Sequence, residues 1–236
     1  MTLTGKALEK RNAGYKAGDF IENGMILGLG TGSTAYYAIL RAGEFVKEGY
    51  QLKAVATSKQ TAEIAIAQGI EIVDINSVDH IDLAIDGVDE IDKKFNAIKG
   101  GGGALFREKI VAKLAQEVIW IMDSGKPVDA IGRFPLPVEI LQYGSEHTLR
   151  KLSSLGLKPV LRESDGNPFV TDNGNYIADL HLSPPMDIVT VKEKLSDVVG
   201  VLETGLFLNM CSRMIIGSEE DAIVIENAGY CKPIKK

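Results

Sequence analysis

The first half of the chain alternates short apolar runs with stretches of helical period. Met25-Ile26-Leu27-Gly28-Leu29, Lys53 to Ser58, Ile70 to Val73, Leu83 to Ile85 and Glu117 to Met122 have strand length and aliphatic content. Residues 4–18, with Leu8 and Tyr15, read as a helix, as does the stretch through Ala35, Tyr36, Ile39 and Leu40. So do Lys59 to Gln68, and Ile110, Val111, Leu114 and Ala115. Gly69 stands where the third of these helices should stop. Strands alternating with helices predict a mostly parallel sheet covered on both faces. Such sheets bind ligands beyond the carboxyl ends of their strands.

The pattern changes at Phe134-Pro135-Leu136-Pro137. Val138 to Ile140 is extended, and His147 to Leu155 is a helix closed by Gly156. Pro159 to Arg162, Phe169 to Thr171 and Tyr176 to His181 read as strands, with turns at Asp165-Gly166 and Asn173-Gly174. Asp187 to Leu195 is a further helix. Residues 133–203 are therefore expected to form a small α+β domain, inserted into an α/β domain made of 1–132 and 204–236. Gly205 to Leu208, Met214 to Ile216 and Ala222 to Ile225 are expected to rejoin or edge the first sheet. The fold class is α/β: a Rossmann-like parallel-sheet domain with an inserted small α+β domain.

Composition narrows the function. The 236 residues carry a net charge of -6 and no basic stripe, which argues against nucleic acid as a partner. No run has the length of a membrane span, and Met1 to Phe20 lacks an apolar signal core, so a cytoplasmic enzyme is expected. Cys211 and Cys231 are read as reduced thiols without a catalytic role. His80, His147 and His181 share no ligand spacing. Asp86, Asp89, Glu90 and Asp92 do not fit a calcium loop, so no metal is expected.

Three loops carry the chemistry. Gly28-Leu29-Gly30-Thr31-Gly32-Ser33-Thr34 joins a strand to a helix, which places an anion at a helix N-terminus. Ser33 breaks the dinucleotide fingerprint and no lysine makes it a Walker loop. Its hydroxyls suit a small terminal phosphate; a helix cap with nothing bound is the alternative. Asp86-Gly87-Val88-Asp89-Glu90 ends an apolar strand. Lys99 and four glycines then lead into a helix carrying Glu108. Bare backbone can turn its N–H groups onto an anion. Carboxylates, an ammonium and an anion nest suit proton transfer on an anionic substrate. A plain turn and a plain linker are the alternative. Lys126, after Asp123-Ser124-Gly125, adds a cation at another strand end.

Together these stretches resemble ribose-5-phosphate isomerase type A, as do Phe134 to Glu139 and Thr171-Asp172-Asn173-Gly174-Asn175. The resemblance spans essentially the whole chain, departing at Gly103, where alanine is common, and at Gly125. It implies reversible conversion of D-ribose 5-phosphate to D-ribulose 5-phosphate, without metal or organic cofactor, by a homo-oligomer (a dimer or tetramer). It implies that Glu108 is the base and that Asp86 assists ring opening, with Asp89, Gly87 and Val88 in the sugar site. Lys99 with the amides of Gly100, Gly101 and Gly102 would hold the substrate and the enediolate. Thr31, Gly32, Ser33, Thr34 and Lys126 would complete the site around the phosphate. Two other readings are a sugar-phosphate-sensing domain of a bacterial regulator and a related phosphosugar isomerase or lactonase. The first would need a DNA-binding segment ahead of a sheet that starts near residue 25.

Overall fold

The structure, a computed structural model, describes residues 3–230. It divides into two compact units, Met1–Val88 with Arg107–Lys126 and Asn209–Lys236, and Asp89–Phe106 with Pro127–Leu208. Cys231 lies outside the described residues.

The first unit is built on seven strands. Their order is Ala222–Glu226, Arg213–Gly217, Ala115–Asp123, Ile81–Gly87, Ile26–Leu29, Lys53–Ala56, Glu71–Ile72. All neighbours are parallel except the edge hairpin formed by the first two. The chain steps outward from Ile26–Leu29 through two strands, then returns to lay Ile81–Gly87 on the other side. The loops leaving these two central strands diverge, and such a reversal opens a crevice at the strands' carboxyl ends.

Leu27, Leu29, Leu83, Ile85, Ile119, Ile121 and Ile215 fill the core of this unit. Each such side chain contributes about 1.5–3 kcal/mol by leaving water. The helix Lys6–Gly18 packs through small residues, and its buried positions are Ala13, Gly14, Ala17 and Gly18. Leu8 and Tyr15, which mark the helix in the sequence, are only half-buried. A Cβ on Gly14 would lie 2.7 Å from the Cβ of Tyr37, so the second helix, Ala35–Lys47, can approach only because Gly14 has none. Ile110 is exposed, while Val111 and Ala112 of the same helix are buried.

In the second unit, Pro159–Leu161, Tyr176–Leu180, Leu136–Ile140 and Val201–Thr204 make one antiparallel sheet in that order. Leu152 of the helix Ser145–Ser154 and Val191 and Leu195 of Ile188–Ser196 share its core with Val138, Ile140 and Leu180. A second four-stranded sheet runs Leu206–Leu208, Asn96–Ile98, Glu90–Asp92, Pro127–Val128. This unit is larger than the expected 133–203. Strands of two or three residues draw in 89–106, 127–132 and 204–208. Residues 206–208 pair with 96–98, away from the seven-stranded sheet they were expected to join. Phe169 to Thr171 is not a strand. Asp165 and Gly166, both at positive φ, turn a short hairpin of Glu163–Ser164 with Asn167–Pro168 just before it.

Candidate active site

In the first unit the site gathers at the crevice between the two central strands. The Gly30 N–H donates to the Ile85 carbonyl, which brings the loop against Asp86. A Cβ on Gly30 would lie 2.0 Å from Asp86 Oδ1, so only glycine fits. The N–H groups of Thr31 (3.1 Å) and Gly87 (2.7 Å) donate to that same oxygen. Asp86 is thus an oriented carboxylate with 4% of its surface exposed. Val88, close by in sequence, is buried.

The Thr31 hydroxyl faces into the protein, 2.7 Å from Thr57 Oγ1 and 3.2 Å from Thr61 Oγ1. Those hydroxyls donate to the carbonyls of Leu29 and Gly30. Thr31 therefore braces the loop, while Gly32 and Ser33 are exposed and Thr34 begins the helix Ala35–Lys47. No acidic residue occupies the first turn of that helix, leaving the positive end of its dipole uncompensated there. Lys10 Nζ donates to Ser33 Oγ at 3.0 Å. A cleft of about 480 Å³ lies beside them, lined in part by Ala7, Tyr36, Gln60 and Ile64.

Lys10 stands outside the motifs legible in the sequence. Its signal is one helical turn downstream, where Gly14 permits close packing on the second helix and so brings Lys10 beside that helix's first residues. Lys126 follows the strand Ala115–Asp123 and is half-buried. Two carboxylates shape its turn: Asp123 accepts the Gly125 N–H, and Glu9 accepts the N–H and hydroxyl of Ser124. Glu108 stands in the first turn of the helix Leu105–Leu114 and is 3% exposed. It shares a helix face with Val111, and a Cβ on Gly28 would lie 2.5 Å from Val111 Cγ1. That contact seats the helix against the central strand.

The second unit holds the other loop. Lys99, 2% exposed, runs its ammonium over the Phe207 ring at 5.3 Å from the centroid. Its N–H donates to the Gly205 carbonyl. Gly100 and Gly103 have φ of 107° and 82°, and the Gly101 N–H donates to Asp89 Oδ2 at 2.7 Å. Gly101 and Gly102 are exposed. Glu90, the last acid of the motif, is structural: it accepts the N–H groups of Gly132, Arg133 and Phe134. Asp92 likewise closes the turn at Lys94 to Asn96. The structure therefore sets Thr31 to Thr34, Asp86 to Val88, Glu108 and Lys126 on one unit, and Asp89 with Lys99 to Gly102 on the other. Among the described residues no three His, Cys, Asp or Glu side chains gather as a metal site. Burial pushes the Cys211 thiol well above the usual thiol range, which leaves it unreactive.

The family model of ribose 5-phosphate isomerase A (phosphoriboisomerase A) matches residues 53–221. This chain belongs to the ribose 5-phosphate isomerase A family. It is accordingly an isomerase. It is 48% identical to ribose-5-phosphate isomerase A of Bifidobacterium longum subsp. infantis, over 93% of this chain and 95% of that one. It is 46% identical to the Streptococcus pneumoniae protein of the same name, over 92% and 96%. A solved D-ribose-5-phosphate isomerase in complex with phospho-erythronic acid superposes with a TM-score of 0.89 at 36% identity, covering 94% of this chain and all of that one. The Neisseria gonorrhoeae enzyme gives 0.87 at 36%, over 98% of this chain and 100% of its own. No helix among the described residues is long and apolar enough to cross a membrane.

Proposed function

We propose that the chain interconverts D-ribose 5-phosphate and D-ribulose 5-phosphate through an enediolate, with Glu108 as the base. The observation that carries this is a buried carboxylate in the first turn of the helix into which the Lys99 glycine loop runs. Asp86 takes the proton of the anomeric hydroxyl and delivers it to O4 as the C1–O4 bond breaks. Glu108 then removes the proton on C2. Negative charge develops on O1, where Lys99 and the amides of the glycine loop stabilise it. The O2 proton passes to O1, and Glu108 returns its proton to C1, leaving the ketone at C2. Asp89 stands in the sugar site and holds the Gly101 N–H.

The phosphate rests on Gly32, Ser33 and Thr34 at the helix N-terminus, flanked by Lys10 and Lys126. Phospho-erythronic acid, bound by a structural relative, supports this division of labour. It joins a phosphate to a planar carboxylate that resembles an enediolate. The enzyme acts in the cytoplasm as a dimer or tetramer.

Glu108→Gln tests the assignment. It keeps the shape but cannot accept a proton. Its kcat falls at least ~100-fold in both directions, while calorimetry still detects ribose 5-phosphate. Asp86→Asn is the contrast, since open-chain ribulose 5-phosphate recovers part of its loss. A Glu108→Gln enzyme within about tenfold of the parent removes Glu108 from the mechanism.

A further inference from the structure

The glycine loop lacks side chains with which to fix its own shape, yet oxyanion stabilisation depends on donors that are already aimed. Its supports come from residues outside the motif. Arg162 follows the strand Pro159–Leu161. Its backbone is pinned, with the N–H donating to the Ile177 carbonyl and the C=O accepting from Phe169. Its guanidinium holds Asp179 in a two-pronged pair, Nε to Oδ2 at 2.8 Å and Nη2 to Oδ1 at 2.5 Å. The two side chains are 15% and 19% exposed. The remaining nitrogen, Nη1, donates to the carbonyls of Gly100 at 2.9 Å and Gly101 at 3.1 Å.

In a trans peptide the C=O and the following N–H point in opposite directions. Pinning the Gly100 carbonyl on Arg162 therefore turns the Gly101 N–H the other way, where it meets Asp89 Oδ2. Pinning the Gly101 carbonyl turns the Gly102 N–H away from Arg162 as well. The Phe169 ring closes the loop from its far end, because a Cβ on Gly103 would lie 2.4 Å from Phe169 Cζ.

We propose that Arg162, locked to Asp179, is a positioning residue for the isomerisation. It sets the peptide planes of the loop, and so the aim of the Gly101 and Gly102 N–H groups and of the Asp89 carboxylate. This rests on the assignment of Lys99 to Gly102 as the enediolate-stabilising loop. A lysine cannot replace Arg162, since one ammonium cannot grip a carboxylate in two places and also bridge two carbonyls.

The test compares Arg162→Ala, Arg162→Lys and Lys99→Met with the parent. Arg162→Ala lowers kcat about 10- to 100-fold, with KM for ribose 5-phosphate within about threefold. Phospho-erythronic acid binding weakens by about the factor lost in kcat, as expected of an intermediate mimic. Millimolar guanidinium ion restores part of the Arg162→Ala rate, which no general loosening of the fold predicts. Arg162→Lys loses at least about tenfold in kcat and decides by the same criteria should the alanine variant fail to fold. A kcat within threefold of the parent in the deciding variant, or a loss confined to KM, overturns the role. Lys99→Met separates the two levels. If it is crippled while the Arg162 variants are not, only the positioning role falls. If it too is unaffected, the loop assignment itself falls.

Discussion

Gly28 to Thr34 and Lys99 to Gly103 are both glycine-rich turns, but they are held by different means. The first loop carries its own fastenings. Thr31 reaches back to Thr57 and Thr61, and the backbone at 30 and 31 docks on Ile85 and Asp86. The second is nearly all glycine and is held by residues from beyond the motif: Asp89, Arg162 and Phe169. A loop with side chains can be nearly self-supporting. A loop stripped of them for close approach must borrow its rigidity, and its performance is then set by residues the motif does not include.

The comparison breaks hardest at Gly30. Gly30→Ala puts a methyl group where the Asp86 carboxylate stands, and Asp86 is too short to swing clear while keeping both donors. We expect kcat to fall at least ~100-fold and stability to drop about 1–3 kcal/mol, read by steady-state rates and a urea melt. Gly101→Ala is the matching change in the borrowed loop. Its Cβ would lie 2.6 Å from Asp89 Oδ1, but its surroundings are open to solvent. We expect about a tenfold loss in kcat and a melt within about 0.5 kcal/mol of the parent. Equal stability losses in the two variants would erase the distinction.

Lys10→Met and Lys126→Ala probe the phosphate end. Each should raise KM about tenfold with little change in kcat, since a charge-assisted contact is worth about 1.5–3 kcal/mol. An unchanged KM in either removes that lysine from the site. The smallest effect belongs to Thr57→Val, behind the first loop. It deletes the bond to the Leu29 carbonyl and the contact with Thr31, costing about 1–2 kcal/mol in a thermal or urea melt. A larger change in kcat than in stability would show that Thr31 does more than brace.

The alternating sheet was legible because its strands are continuous aliphatic runs, buried on both sides, with Leu27, Leu83 and Ile119 unmistakable. The second sheet of the other unit was not. Glu90–Asp92 and Asn96–Ile98 are three residues each, half polar, and have no periodicity to read. The domain boundary was misplaced for the same reason. Asp86, Asp89 and Glu90 look alike in sequence, yet Glu90 spends its carboxylate on three backbone N–H groups around residue 133, a pairing that only folding creates. Phe134 to Glu139 and Thr171 to Asn175 drew notice without a role. Their connection is Glu139, fully buried, whose Oε1 takes Thr171, Asn173 and Asn175 as donors.

The order of the seven-stranded sheet also bears on how the protein is made. Ala115–Asp123, whose Val118 to Met122 stretch is almost wholly buried, pairs on one side with Ile81–Gly87 and on the other with Arg213–Gly217. On the ribosome the first neighbour emerges early, while the second appears only after the whole of Pro127–Leu208 has been translated. Throughout that interval the nascent chain carries an unpaired, strongly apolar strand edge, the kind that recruits another chain as readily as its own. Slower translation between codons 127 and 212 lengthens that exposure, and with it the need for a chaperone at that stage.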